Sequence, residues 1–342
     1  MSTLRGPATV ASIAPTPVQI VYTPGSGEGR ATVLARRMAR EFRRRGERVR
    51  VRSFKRLSDL ATWSASCAGD FSRLVAIGGD ATQSTAAAAA MRHGVPLFPV
   101  PTGFGNLFAA AFEVPMEPHA ALDAFEHGAV RAVDAGVAGG EVFLCHASYG
   151  LLANVQQAVE DGARQPRERR WRHLAYYRMA RQILFDMPLP SIRVEADGRL
   201  LARDAVIATV ANVETYRGFL SLTPEASATD GWLDVVVMKR ASRPRVWARL
   251  LGLLLGFGDA HTGMLRCRAR GVRVFEEGKA PEEIRVLPGA LSMVVPPAVA
   301  AALPATRPAV TRPRREAHAG APARWRPAPA RSTRPDALGA AG

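Results

Sequence analysis

The sequence predicts an α/β protein, with an N-terminal parallel-sheet domain over residues 18–130 and a mainly antiparallel, β-rich domain over 131–296. Three observations predict it. Short apolar runs alternate with helix-period segments through the first third of the chain, the pattern of strands joined by crossover helices. Two of those runs end in glycines that open into helices, at Gly78-Gly79-Asp80 and at Gly103-Phe104-Gly105-Asn106. Beyond about residue 131, strand-like runs follow one another through turns with few helices between them.

Val18–Tyr22 reads as a buried strand, and Thr23-Pro24-Gly25-Ser26-Gly27-Glu28-Gly29 as a turn-rich loop. Arg30–Arg45 places Val33, Leu34, Met38 and Phe42 at helical spacing, and Gly46 ends the helix. Strands follow at Val49–Ser53, Leu74–Ile77 and Pro96–Val100, with an alanine-rich helix over 82–92. In the second domain strands are expected at Val130–Val137, Glu141–Ser148, Ser191–Ala196, Ala205–Val213, Leu233–Lys239, Gly271–Phe275 and Glu283–Leu287. A last strand, Ala290–Val295, is free to return to either sheet. Helices are expected at Leu151–Asp161, Arg170–Leu184 and Pro244–Leu255. The termini, 1–17 and 304–342, lack the apolar residues of a core and read as disordered.

The 342 residues suffice for two cores. There are 46 basic residues against 30 acidic, a net +16, and only Lys55, Lys239 and Lys279 are lysine. An arginine excess beside so much alanine and proline fits GC-rich coding. As a signal about partners it fits an anionic membrane surface, a phosphorylated ligand or nucleic acid, and no nucleic-acid motif accompanies it. Arg164–Arg181 interleaves arginines with Trp171, Tyr176 and Tyr177, either a basic face for lipid headgroups or a surface helix with buried aromatics. Three scattered cysteines suggest neither a disulfide framework nor a zinc site. The N-terminus has no signal-peptide core, and Leu250–Phe257 is too short to span a bilayer. The expected location is cytoplasmic, with peripheral contact at the inner face of the membrane.

The glycine turns carry the chemistry. Adjacent glycines allow close approach of the backbone to a ligand, and the N–H groups of the following helix attract a phosphate. A carboxylate at Asp80 suits Mg²⁺, a water or a hydroxyl proton.

The pair Gly78-Gly79-Asp80-Ala81-Thr82 and Pro101-Thr102-Gly103-Phe104-Gly105-Asn106 resembles the catalytic domain of diacylglycerol kinases, sphingosine kinases and bacterial lipid kinases. The resemblance extends through Pro24-Gly25-Ser26-Gly27, Ser53, Val133-Asp134-Ala135-Gly136, Ala211-Asn212, Leu222–Ala226, Asp230-Gly231-Trp232-Leu233-Asp234, His261-Thr262 and Leu287–Leu291. NAD kinases share the first motif, but their Gly-Asn-Gly-Phe-Leu sequence after the fourth strand is absent. The resemblance implies an ATP- and Mg²⁺-dependent lipid kinase. It implies nucleotide contacts at Ser26, Ser53, Gly78, Gly79, Asp80, Ala81, Thr82, Gly103, Phe104 and Asn106, and a Mg²⁺–water network at Asp80 and Asp134. Asp230 it places in a structural metal loop; a plain turn is the other reading of Asp230-Gly231. The family's Asp-Gly-Glu segment, source of its general base, corresponds to Glu277-Gly278-Lys279; with lysine in the last place, Glu277 is the catalytic candidate, and Glu276, Glu282 and Glu283 are the other carboxylates that could substitute as the base. Ala81 in place of glycine, Phe104 in place of threonine, and Lys279 keep a second reading open, a catalytically degenerate binding protein. Diacylglycerol, a sphingoid base, phosphatidylglycerol and an undecaprenyl-type alcohol are all compatible acceptors, because acceptor pockets are built from interchangeable apolar side chains.

Overall fold

A computed structural model describes residues 16–103, 105–154, 157, 189–215, 222–254 and 263–303. Strands β1 (Val18–Tyr22), β2 (Val49–Ser53), β3 (Arg73–Gly78) and β4 (Leu97–Pro101) pair in parallel in the order 2-1-3-4. Leu74 through Ile77 are all fully buried, because helices cover both faces of this sheet. The covering helices are α1 (Arg30–Arg44), α2 (Leu57–Ser66), α3 (Asp80–His93), α4 (Leu107–Ala111) and α5 (Pro118–His127). Helix α1 buries Leu34, Met38 and Phe42, whereas Val33 is 68% exposed. The buried stripe is set by Ala31, Leu34, Ala35, Met38, Ala39 and Phe42, and Val33 falls beside it.

The second half begins with β5 (Ala129–Ala138), β6 (Glu141–Phe143) and β7 (His146–Gly150). The single strand expected over 141–148 is divided because its partner changes: β6 pairs with β5, and β7 pairs with β9 (Arg199–Ala211). At the break the Leu144 amide donates to Ser84 Oγ (3.1 Å), and the Cys145 carbonyl accepts from the Asn212 amide (2.7 Å). Strands β8 (Ile192–Ala196) and β10 (Leu233–Lys239), helix α6 (Arg243–Leu254), and strands β11 (Met264–Ala269) and β12 (Gly271–Glu276) follow. β11 escaped sequence reading; it is a half-exposed edge strand whose arginines, Arg266 and Arg268, interrupt the apolar run.

The two last expected strands are one, β13 (Glu282–Val295), irregular between Leu287 and Leu291. β13 pairs antiparallel with β5 along its length and meets β4 in parallel at Met293↔Leu97. It thereby joins both halves into one sheet of order β11-β10-β9-β8-β12-β13-β4-β3-β1-β2. A short α7 (Pro297–Ala302) ends the described chain. One core fills the helix layers around β1, β3 and β4; a second, including Tyr149, Val194, Val235 and Val274, lies inside the antiparallel half; a third packs Val246 of α6 onto Val206 and Val236. Phe104, the Arg164–Arg181 stretch, His261 and both expected disordered termini beyond Thr16 and Leu303 lie outside the described residues. Among the described residues no helix is long and apolar enough to cross a membrane.

Candidate active site

The carboxyl ends of β1, β3 and β4 place three loops side by side, where open parallel sheets bind ligands. The loops after β3 and β4 touch backbone to backbone. A Cβ added to Gly103 would stand 2.6 Å from Gly79 Cα, and one on Gly78 would stand 2.5 Å from Thr82 Cβ. The loop after β1 closes against them, since Gly27 (φ +59°) approaches so near that a Cβ would stand 2.4 Å from the Thr102 carbonyl oxygen. Hydroxyls lace the loops together: Thr102 Oγ1 donates to Ser26 Oγ (2.9 Å), and Thr23 Oγ1 and Thr82 Oγ1 share a hydrogen at 3.0 Å. Asn106, buried and left-handed (φ +50°), accepts from the Gly103 amide and donates to the Gly103 carbonyl, both at 2.8 Å. Ser26, Gly78, Gly79, Thr82, Gly103 and Asn106 thus gather in one place. Thr23 and Thr102 belong with them and were missed; their signal is a hydroxyl residue directly after a buried strand. Ala81 is exposed within the right-handed first turn of α3, so this position makes no demand for glycine's conformational freedom.

Asp80 opens α3. Its Oδ1 accepts from the Phe108 amide (3.1 Å) and from the Cys145 thiol (3.3 Å). Its Oδ2 lies 3.1 Å from where a Cβ of Gly105 would stand, so it faces the second glycine loop. Burial pushes the Cys145 thiol well up, and the Asp80 charge adds to this, so the sulfur keeps its proton and acts as donor. Burial also lowers His146, against the opposing pull of Asp80, and favours its neutral form.

Asp134 is buried on β5 with both oxygens engaged: Oδ2 accepts from the Gly231 amide and Oδ1 from the Gly289 amide, each at 2.7 Å. Its own amide donates to the Ala228 carbonyl (2.7 Å). Asn212 Nδ2 donates to the carbonyls of Asp134 (3.0 Å) and Leu144 (2.9 Å). Asp134 therefore fixes the loops at the junction of the two halves. Ser53 stands exposed at the end of edge strand β2. Glu277 is exposed in the β12–β13 turn, where Lys279 Nζ pairs with Glu276 Oε2 at 2.5 Å. Glu282 is half-buried, and burial raises its carboxyl above the usual range.

Asp230 lies in the turn before β10. Its Oδ1 accepts from the Trp232 amide (3.0 Å), and its Oδ2 is 3.2 Å from Arg268 Nη2. The residues present do not fit a metal at this loop, because a guanidinium already lies among its oxygens.

Two glycine loops, a set of hydroxyls and a carboxylate therefore meet at the strand ends of a parallel α/β sheet, the position at which open sheets of this class bind ligands. Comparison with known proteins narrows the class. The family described as the diacylglycerol kinase catalytic domain matches residues 17–138, and the YegS C-terminal NAD kinase beta sandwich-like domain matches 146–295. The first half of the chain thus belongs to the diacylglycerol kinase catalytic domain family, and the second carries the YegS-type domain. It is 26% identical over 239 residues to a diacylglycerol kinase of Bacillus subtilis, covering 66% of this chain and 74% of the relative. It is 26% identical over 298 residues to one from Mycobacterium tuberculosis, covering 82% and 95%. The crystal structure of a diacylglycerol kinase from Bacillus anthracis superposes with a TM-score of 0.59 at 20% identity, over 84% of this chain and 100% of the other, and shares the fold.

Proposed function

We propose that this protein is a lipid kinase that uses ATP and Mg²⁺ to phosphorylate a lipid hydroxyl, on a diacylglycerol-like or other lipid alcohol. The observation that carries this reading is the division of Asp80: one oxygen is anchored by Phe108 and Cys145, while the other faces the glycine loops. Phosphoryl transfer asks mainly for positioning and charge compensation, with a carboxylate to hold the proton of the attacking hydroxyl. The amides around Gly79 and Gly103 and the hydroxyls of Ser26, Thr82 and Thr102 are suited to orient the phosphates. Asp80 Oδ2 is suited to hold the acceptor's proton or a Mg²⁺-bound water. Bound Mg²⁺ would supply charge neutralisation between phosphate oxygens. The amides that hold Asp134 give it a supporting place, keeping the second half against the cleft. A lipid acceptor brings the protein to a membrane surface, for which the net +16 is favourable.

A binding protein without turnover is the second reading, favoured by one observation: Lys279 with its partner Glu276 stands where the resemblance calls for an acidic base. The test incubates purified protein with γ-labelled ATP, Mg²⁺ and bacterial lipid extract, beside Asp80→Ala. A labelled lipid that the variant fails to make, at an unchanged melting temperature, is the expected result. Intact nucleotide or liposome binding with no labelled lipid overturns the kinase reading in favour of the second.

A further inference from the structure

The side chain of Arg268 stands where the loop 225–234 gathers its oxygens. From edge strand β11, its Nη2 donates to the Glu225 carbonyl at 3.1 Å and lies 3.2 Å from Asp230 Oδ2. Its Nε lies 3.6 Å from Asp234 Oδ1. A backbone carbonyl and two carboxylates converging on one positive charge is the donor set of a hard divalent cation. A metal and this guanidinium would compete for the same oxygens, and their like charges repel at such range. The loop is held from its other side as well, by the Gly231 amide on Asp134 and the Trp232 amide on Asp230. A planar fork reaches Asp234 from one side, and among the described residues Asp234 Oδ2 is buried without a partner. A spherical ion would instead draw several oxygens to within about 2.0–2.6 Å.

We propose that Arg268 is a built-in replacement for a structural divalent cation, so that the 225–234 loop keeps its fold with no metal. The inference does not depend on the kinase reading. Melting temperatures of the full chain are measured in EDTA and in excess Mg²⁺, without nucleotide, for the unaltered protein, Arg268→Ala and Arg268→Lys. The unaltered protein is expected to melt at the same temperature in both buffers. Arg268→Ala should melt several degrees lower in EDTA and recover in Mg²⁺, with Arg268→Lys between. An Arg268→Ala protein that matches the unaltered one in EDTA, or that Mg²⁺ fails to rescue, overturns the proposal. If Arg268→Ala does not fold, Mn²⁺ titration of the unaltered protein followed by electron paramagnetic resonance decides. Binding abolished by Asp230→Asn overturns the proposal; no binding, or binding that Asp230→Asn leaves unchanged, supports it.

Discussion

Asp80 shows how one side chain is prepared by residues far from it in sequence. The Phe108 amide and the Cys145 thiol both hold Oδ1, which fixes the rotamer and leaves Oδ2 facing the second glycine loop. A thiol is a weak donor, but this one is buried, protonated and aimed. In the proposed kinase reaction, Cys145→Ala is expected to lower kcat several-fold with little change in KM for ATP, and Cys145→Ser to restore part of it. Equal losses in both variants, or a loss confined to KM, would refute the positioning role. The Gly-Gly-Asp motif was readable in the sequence because apolar run, paired glycines and helix start follow one another directly, and a second such turn stands about twenty residues on. The Asp80–Cys145 contact was not, since 65 residues separate its partners and an isolated cysteine in an apolar run looks like core.

At the scale of elements, α2 and α3 pack through a polar corner as well as an apolar face. The His93 ring, in the last turn of α3, lies edge-on to Phe71 (5.7 Å between centroids) with Nε2 3.5 Å from Cys67 Sγ. Gly69 (φ +72°) passes beneath it so closely that a Cβ would stand 2.1 Å from Nδ1. Burial, followed by the neighbouring Arg92 charge, lowers the His93 pKa, so folding favours the neutral ring. Its contribution to stability is therefore full above the unfolded pKa of about 6.5 and is lost as pH falls through the lower folded value. His93→Gln should flatten the decline of the urea midpoint between pH 7 and pH 5; an unchanged slope would remove His93 as its source. α2 itself was not anticipated, because Leu60 is its one buried large apolar residue and so small a stripe leaves little period to detect.

Over the whole molecule, β5 and β13 carry the sheet from its parallel half into its antiparallel half, and Asp134 pins the two loops that meet there. Asp134→Ala leaves two amides without their charged acceptor and should cost about 3 kcal/mol. With the clamp intact, Trp63 in the first half and Trp232 in the second should report one urea transition. Asp134→Ala should lower that midpoint, and two resolved transitions in the unaltered protein would show that the shared sheet does not couple the halves.

The sequence by itself determined the α/β class, the succession of strands β1 to β4 along the chain, and the glycine loops at the ends of β3 and β4. Each is a local property: apolar run length, helical period, and the backbone freedom of glycine. The tertiary structure alone decided that Glu141–Gly150 changes partner mid-course, that residues 282–295 are one strand shared by both halves, and that Arg268 occupies the Asp230 loop. These are choices of partner made across long chain separations. They follow from which buried donor meets which acceptor, and no local residue pattern records that.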